Sequence, residues 1–212
     1  MRKLIFFDLD STLATIEGLD YLAESKGKGK EASSLTNLAM NGEVKMEEIF
    51  GKKIDLLSPS LSELEQLGEI YKKTLVQNAK DVIFQLRELG WEVGIVTGSF
   101  LPAVMPVAQH LGIAKELIFT NEIYFNGEGL YQDFKRHYAL ARSGGKAEIL
   151  KQFKDAQIVF VGDSVTDLDT QPFVNLFIGF GGVVERKKVK EEASMYVYDL
   201  SEVLKILKEK AL

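Results

Sequence analysis

The sequence predicts an α/β fold, a doubly wound parallel sheet with a helical segment inserted after the first strand. Three observations predict it. Leu4-Ile5-Phe6-Phe7, Glu92-Val93-Gly94-Ile95-Val96 and Ile158-Val159-Phe160-Val161 are short apolar runs that each stop at polar or glycine residues, as buried parallel strands do. Helical spacing precedes the second and third runs: Val82, Ile83, Leu86 and Leu89 with Gly90 as a stop, then Ala147, Ile149, Leu150 and Phe153. Residues 14–78 show no strand pattern, only apolar residues at helical spacing. Alternating strands and helices build a parallel sheet with helices on both faces.

The first run ends at Asp8-Leu9-Asp10-Ser11-Thr12. Residues i and i+2 of an extended segment share a side, and open α/β sheets place ligands where strands end. Both carboxylates can therefore face one reacting group, one attacking while the other handles protons. Taken alone, the fragment is equally a solvated turn, which Asp and Ser favour. In the insert, Leu19, Tyr21 and Leu22, then Leu35, Leu38 and Ala39, then Leu61, Leu64, Leu67, Ile70 and Tyr71 repeat at helical spacing. Lys26 to Lys30 alternates lysine and glycine and reads as a solvated loop.

The second run stops at Thr97-Gly98-Ser99 and leads to Pro102, which suits an early helical position. Backbone N–H groups there, with the Thr97 hydroxyl, make an anion site. Asn126-Gly127, between Tyr124-Phe125 and Leu130-Tyr131, predicts a hairpin in a smaller insert. Ser143-Gly144-Gly145-Lys146 opens a helix after a glycine turn and lacks the spacing of a nucleotide-binding P-loop. The third run stops at Gly162-Asp163-Ser164, with Asp167 close behind. Leu176-Phe177-Ile178 and Met195-Tyr196-Val197-Tyr198 read as outer strands. A last amphipathic helix starts at about Ser201, its N-cap.

The chain has 212 residues, 46% hydrophobic and 27% charged, and no cysteine. Disulfides and thiolate metal sites are thereby excluded. No apolar run approaches the roughly 20 residues that span a membrane. Met1-Arg2-Lys3 leads straight into the first strand, leaving no room for a signal peptide, and a cytoplasmic location is expected. A net charge of −5 without an aromatic-and-basic stripe argues against nucleic acid as the main partner. A small anionic substrate would be met by local cations or a metal.

Asp8 and Asp10, Thr97, and Asp163 with Asp167 arrive at one sheet edge, with Lys146 as a point charge. Clustered aspartates without His or Cys suit a hard cation, Mg²⁺. Nucleophile, metal, hydroxyl, N–H groups and lysine together describe phosphoryl transfer by positioning and charge neutralisation.

Asp8-Leu9-Asp10-Ser11-Thr12-Leu13, Thr97-Gly98-Ser99-Phe100, Lys146 and Gly162-Asp163-Ser164-Val165-Thr166-Asp167 resemble the four motifs of the haloacid dehalogenase superfamily of aspartate-dependent phosphatases. Glu17-Gly18-Leu19-Asp20, Tyr124-Phe125-Asn126-Gly127-Glu128 and Phe177-Ile178-Gly179-Phe180-Gly181-Gly182 followed by Arg186 are similar to its phosphoserine phosphatase family. The resemblance implies a Rossmann-like haloacid dehalogenase core, residues 1–13 and 79–212, and a helical cap, residues 14–78. It implies that Asp8 attacks phosphorus to form an aspartyl-phosphate, and that Asp10 protonates the leaving alkoxide and then activates water. Asp8, the Asp10 backbone carbonyl and Asp163 would hold Mg²⁺, Asp167 would orient Lys146 and assist the metal, and Thr97, Gly98 and Lys146 would hold the phosphoryl oxygens.

Substrate contacts are implied for Glu17, Met46, Lys53, Ser99 and Thr166. Glu17 stands where the family recognises an ammonium group, or it is a helix-start carboxylate. Lys53 stands where the family has an arginine for the substrate carboxylate, and lysine keeps the charge without the bidentate fork. Met46 and Met40 are substrate wall or plain core. Ser99 narrows the site where the family has glycine. Arg186 helps hold the closing cap or sheet edge, or it is a solvated helix start beside Lys187, Lys188 and Lys190. His110 and His137 form no cluster. The implied activity is Mg²⁺-dependent hydrolysis of O-phospho-L-serine, the last step of serine biosynthesis, by a monomer or homodimer without nucleic-acid or membrane partners. The alternatives are another small phosphorylated amine or acid, transfer to an alcohol acceptor, or a non-catalytic sensor of phosphoserine or phosphate. The intact nucleophile-and-acid pair weighs against the last.

Overall fold

Leu4, Ile5, Phe6 and Phe7 have no exposed surface, so the strand they form, β1 (Arg2–Phe7), must be covered on both faces and flanked on both edges. The computed structural model describes residues 1–40 and 43–210, and for Ala39, Met40 and Met46 the backbone alone. Beside β1 lie β2 (Glu92–Phe100) and β6 (Ala156–Gly162), both parallel to it. Beyond them stand β3 (Ile118–Asn121) on one side, and β7 (Leu176–Phe180) then β8 (Met195–Val197) on the other. The order β3-β2-β1-β6-β7-β8 is parallel throughout and reverses direction between β1 and β6. A ligand crevice opens at the C-terminal ends of strands that flank such a reversal.

Alternation along β1 divides the core in two. Ile5 and Phe7 pack with α5 (Ala79–Glu88), α6 (Leu101–His110) and α10 (Leu200–Glu209), through residues such as Val82, Val104 and Val203. Leu4 and Phe6 point the other way, toward Leu150 of α7 (Gly145–Leu150), Leu168 of α8 (Val165–Leu168) and Val189 of α9 (Lys187–Glu192). The sheet is thus wound on both faces, as the sequence predicts.

Between β1 and α5 the chain forms α1 (Gly18–Ser25), α2 (Gly29–Met40), α3 (Met46–Leu57) and α4 (Leu61–Lys73). Ser60 and Glu63 start α4 with a reciprocal capping box. The two crossings between insert and core run side by side: Ala14 pairs antiparallel with Leu75, Thr15 N donates to Thr74 O at 2.7 Å, and Val76 N donates to Leu13 O at 2.9 Å.

Several local expectations need correction. β2 does not stop at Thr97 but stays extended to Phe100, with its register against β3 shifting after Val96. β3, four residues at the sheet edge and partly exposed, carries no clear pattern and is not foreseen. The hairpin, β4 (Ile123–Phe125) with β5 (Tyr131–Phe134), does form, but its turn is longer than the Asn-Gly pair. Asn126 Oδ1 accepts from Glu128 N and Leu130 N, and the positive φ falls at Gly129. Asp199, not Ser201, caps α10, because its carboxylate reaches Ser201 N at 2.7 Å while Glu202 reaches back. Lys26 and Lys28 are not simply solvated. Their ammonium groups donate to Leu57 O (2.9 Å) and Leu56 O (2.5 Å), orphan carbonyls at the end of α3.

The insert rests on the core chiefly through α4 against α6. Gly68 makes that approach possible: a Cβ there would lie 2.6 Å from Pro106 Cγ and 2.9 Å from Ala103 O. Gly68→Ala is expected to destabilise the chain by about 1–3 kcal/mol through overpacking, outweighing alanine's better helix propensity. Urea unfolding measures it, and an unchanged or raised midpoint would show that the contact relaxes freely.

Candidate active site

The acidic segment after β1 begins by extending the sheet ladder, with Asp8 N donating to Val161 O at 3.0 Å. It then tightens into a single wide turn, Leu9–Leu13, closed by Ala14 N to Leu9 O, with Ser11 in the left-handed region at φ 51°. This path sends the polar side chains to separate partners. Asp8 Oδ1 accepts from Leu9 N at 2.8 Å, and Oδ2 lies 2.8 Å from Lys146 Nζ. Asp10 Oδ1 accepts from Gly18 N and from Tyr71 OH, both at 2.6 Å. Ser11 Oγ donates to Glu17 Oε1 at 2.7 Å, and Thr12 Oγ1 to Asp163 Oδ1 at 3.2 Å.

The end of β6 supplies the second half. Ser164 caps α8, its N and Oγ donating to Asp167 Oδ2 at 3.0 and 2.6 Å. Asp167 Oδ1 accepts from Lys146 Nζ at 2.6 Å, so the lysine is clamped between Asp8 and Asp167. Arg186, only 5% exposed, places Nε 2.9 Å from Asp163 Oδ2 and Nη2 3.5 Å from Glu17 Oε1. The solvated reading of Arg186 is therefore wrong: the chain before α9 turns it inward, where it ties the core to the insert.

One cavity gathers most of the nominated residues. Asp8, Asp10, Gly98, Ser99, Lys146, Asp163 and Thr166 line it from the core, and Glu17 and Lys53 from the insert, beside the apolar wall of Leu19, Ile49 and Phe50. Thr97 is fully buried and outside the lining, its Oγ1 accepting from Ser99 N at 3.2 Å. Ser99 Oγ is buried without a hydrogen-bond partner. Asp167 stands outside the lining and accepts a hydrogen bond from Lys146 Nζ. The side chains of Met46 and Met40 lie outside the described residues. Lys53 is buried, 2.5 Å from Asp20 Oδ1, and also donates to Thr36 Oγ1. His110 and His137 are exposed and do not line this cavity.

Three participants escape sequence reasoning. Tyr71 reads as core by spacing, yet a buried phenol needs a partner for its hydroxyl. Asp20 lies in the first turn of α1, and nothing local shows that its carboxylate meets Lys53 and Thr36. Asn121, at the end of β3, donates from Nδ2 to Gly98 O (2.8 Å) and Leu140 O (3.1 Å) and so braces the Gly98 segment.

Burial and crowding govern the electrostatics. Burial pushes the Asp8 carboxyl well above its ordinary value and the Asp167 charge adds to this, against the pull of Lys146. Burial raises Asp10 too, while the bonds from Tyr71 and Gly18 draw it back. Glu17 is pushed up to about 8 by burial, then by Asp10 and Asp163, and Asp163 to about 6 by burial and Asp167. Burial alone would lower the Lys146 ammonium, but Asp167 and Asp8 hold it above its usual range.

Oxygens of Asp8, Asp163 and Asp167 lie within 4.8 Å of one another. Five carboxylates (these with Asp10 and Glu17) share ion pairs with Lys146 and Arg186 alone among the described residues, and Lys53 acts on Asp10 from farther off. Buried carboxylates that outnumber their cations call for further positive charge. Oxygen-only donors fit a hard divalent ion such as Mg²⁺. The Asp10 carboxylate is not in the donor cluster, because Oδ1 is turned toward Tyr71 and Gly18; any part it takes in holding metal would run through its backbone carbonyl.

Comparison with known proteins is consistent along the whole chain. The haloacid dehalogenase-like hydrolase family matches residues 5–170. Phosphoserine phosphatase of Bos taurus is 35% identical over 211 residues, 97% of this chain and 93% of the relative. A crystal structure of a phosphoserine phosphohydrolase-like protein from Francisella tularensis subsp. tularensis SCHU S4 superposes with a TM-score of 0.88 at 25% identity, covering 98% of this chain and 100% of the other. A phospho-aspartyl intermediate analogue of phosphoserine phosphatase superposes at 0.82 with 28% identity, covering 97% and 98%.

Arg186→Met keeps the bulk and removes the charge, leaving Asp163 without its buried partner. A loss of about 3–5 kcal/mol is expected for such a broken pair, read by urea unfolding in chelator so that no divalent ion replaces the missing charge. A loss below about 1 kcal/mol, the range of surface pairs, would mean that the guanidinium is not needed there.

Proposed function

Because this chain belongs to the haloacid dehalogenase-like hydrolases, as a phosphatase of their phosphoserine phosphatase group, we propose that it hydrolyses O-phospho-L-serine to L-serine and phosphate with Mg²⁺ bound. The observation that carries this reading is the convergence of Asp8, Asp10, Lys146 and Asp163 on one cavity that Glu17 and Lys53 also line, with Asp167 outside the lining, beside Asp8 and Asp163.

In the first half-reaction an Asp8 carboxylate oxygen forms a bond to phosphorus as the bond to the serine oxygen breaks, and the Asp10 carboxyl proton passes to the departing alkoxide. In the second, water attacks phosphorus and gives its proton to Asp10. The bond to Asp8 breaks and phosphate leaves. The solved relative described as a phospho-aspartyl intermediate analogue supports this covalent route. Lys146, kept charged by its two aspartates, and the Gly98 segment hold the phosphoryl oxygens, with the Thr97 hydroxyl bracing that segment through Ser99 N. Mg²⁺, held by Asp8, Asp163 and the Asp10 carbonyl with Asp167 assisting, would neutralise phosphoryl charge when bound.

Residues 14–78 act as the cap over a core of residues 1–13 and 79–212, excluding bulk water from the intermediate. Glu17 faces the substrate ammonium and Lys53 its carboxylate, with Ser99, Thr166 and Met46 completing the contacts. The small substrate, the absence of any membrane-length apolar helix among the described residues and the net charge of −5 support a cytoplasmic metabolic enzyme of serine biosynthesis.

One observation favours a second reading of the substrate. Lys53 already spends its charge on Asp20 and Thr36, which weakens its hold on a carboxylate and favours a phosphorylated amine without one.

Phosphate release from O-phospho-L-serine, phosphoethanolamine and phosphothreonine, with Mg²⁺ and after chelation, tests both readings. Preference for phosphoserine is expected, lost in Asp8→Asn and on chelation. Lys53→Ala is expected to raise KM for phosphoserine by more than about tenfold and for phosphoethanolamine much less. Equal or better turnover of phosphoethanolamine by the wild type would establish the second reading instead.

A further inference from the structure

Asp10 is held in an unusual way. Both of its hydrogen bonds fall on one oxygen: Tyr71 OH and Gly18 N each donate to Oδ1 at 2.6 Å. Oδ2 has no hydrogen-bond partner among the described residues, and Asp10 lines the cavity. A carboxyl group fixed by one oxygen has its other oxygen aimed, since the only remaining freedom is rotation about an axis that two donors have already set.

The two donors are a matched pair. Tyr71 is fully buried on α4, and Gly18 opens α1. A Cβ at residue 18 would lie 1.8 Å from the Tyr71 hydroxyl oxygen and 2.4 Å from Cζ. The phenol therefore occupies the space that a side chain at residue 18 would fill, and only glycine lets both donors reach the same oxygen. A buried tyrosine placed purely for packing has no need to end on a carboxylate, and a phenylalanine would fill the same volume without the cost of burying a hydroxyl.

Both donors also belong to the insert, whereas Asp10 belongs to the segment that leaves β1 in the core. We propose that Tyr71 is a positioning residue for Asp10: with Gly18 N it holds Oδ1, turns Oδ2 to the leaving-group oxygen, and does so only while the insert is seated. The inference rests on the phosphatase reading above. As the phosphorus–oxygen bond breaks, its electron pair goes to the leaving oxygen, and the proton on Oδ2 follows to that oxygen, leaving Asp10 a carboxylate. Seating of the insert and readiness of the proton donor thereby become one event.

The experiment uses two leaving groups. An alkoxide must be protonated to depart, whereas nitrophenolate, a weak base, leaves without a proton. Single-turnover release of the leaving group, which precedes the water attack that also uses Asp10, is compared for p-nitrophenyl phosphate and for O-phospho-L-serine or phosphoethanolamine, whichever the wild type prefers, using the full chain with Mg²⁺. Tyr71→Phe is expected to slow this release from the alkyl phosphate by about tenfold, a part of the roughly 10²–10⁴-fold that positioned proton transfer contributes. The same release from p-nitrophenyl phosphate, and the substrate concentration giving half the maximal rate, should each stay within about twofold, as expected when only the protonated step is touched. Gly18→Ala keeps the phenol but drives its hydroxyl away from Asp10, and it should give the same selective loss. Equal losses on both substrates, no loss on the alkyl phosphate, or a variant whose circular dichroism shows an unfolded chain would each overturn the proposal, because the hydroxyl would then be structural. A wild type inactive on every substrate would overturn the phosphatase reading itself and this proposal with it.

Discussion

Three carboxylates, Asp8, Asp163 and Asp167, are forced within 4.8 Å of one another at the point where the sheet reverses its winding. Such a concentration of negative charge away from bulk water costs several kcal/mol per ion unless it is compensated. Much of the surrounding structure supplies that compensation. α7 turns Lys146 inward between two of the three, and the segment before α9 turns Arg186 onto the third. Ser164 and Thr12 add neutral donors. The remaining imbalance fits the further positive charge that a divalent cation would bring. Stability and chemistry thus draw on the same charges.

The insert supplies what the sheet edge cannot. It brings a wall of Leu19, Ile49 and Phe50, and two charged groups whose partners fix their directions. Glu17 meets Ser11 and Arg186 in the core, and Lys53 meets Asp20 and Thr36 within the insert. The first arrangement links the two parts of the molecule, whereas the second is internal to one of them. Of the two charged groups that the insert turns to the cavity, one is therefore held by the core and the other entirely by the insert.

How far the sequence reveals this depends on range. β1, β2 and β6 are legible because strands buried on both faces leave uninterrupted β-branched and aromatic runs. The acidic pair is legible because its members are two residues apart. β3 is not, since four residues at an edge, two of them partly exposed and two buried polar ones, carry no periodic signal. Tyr71 shows its buried face through helical spacing, but nothing local indicates that its hydroxyl meets a carboxylate 61 positions earlier. Arg186 and Lys26 fail for the same reason. Each sits in a basic, apparently solvated stretch, and only tertiary packing brings Asp163 to one and the end of α3 to the other. The cap of α10 lies two residues before Ser201, because Ser201 and Asp199 both suit the position and the backbone decides between them.

The antiparallel pairing of Ala14 with Leu75 brings the beginning and end of the insert together as hydrogen-bonded neighbours. A segment that leaves and rejoins a domain at a single point adds no thread through the sheet and no crossing over its edge. Its length and internal architecture can then vary without altering how the core is wound, provided the short ribbon and the packing of α4 on α6 are kept. The helical insert is in that sense a replaceable module, and the sheet with its flanking helices a chassis that carries it.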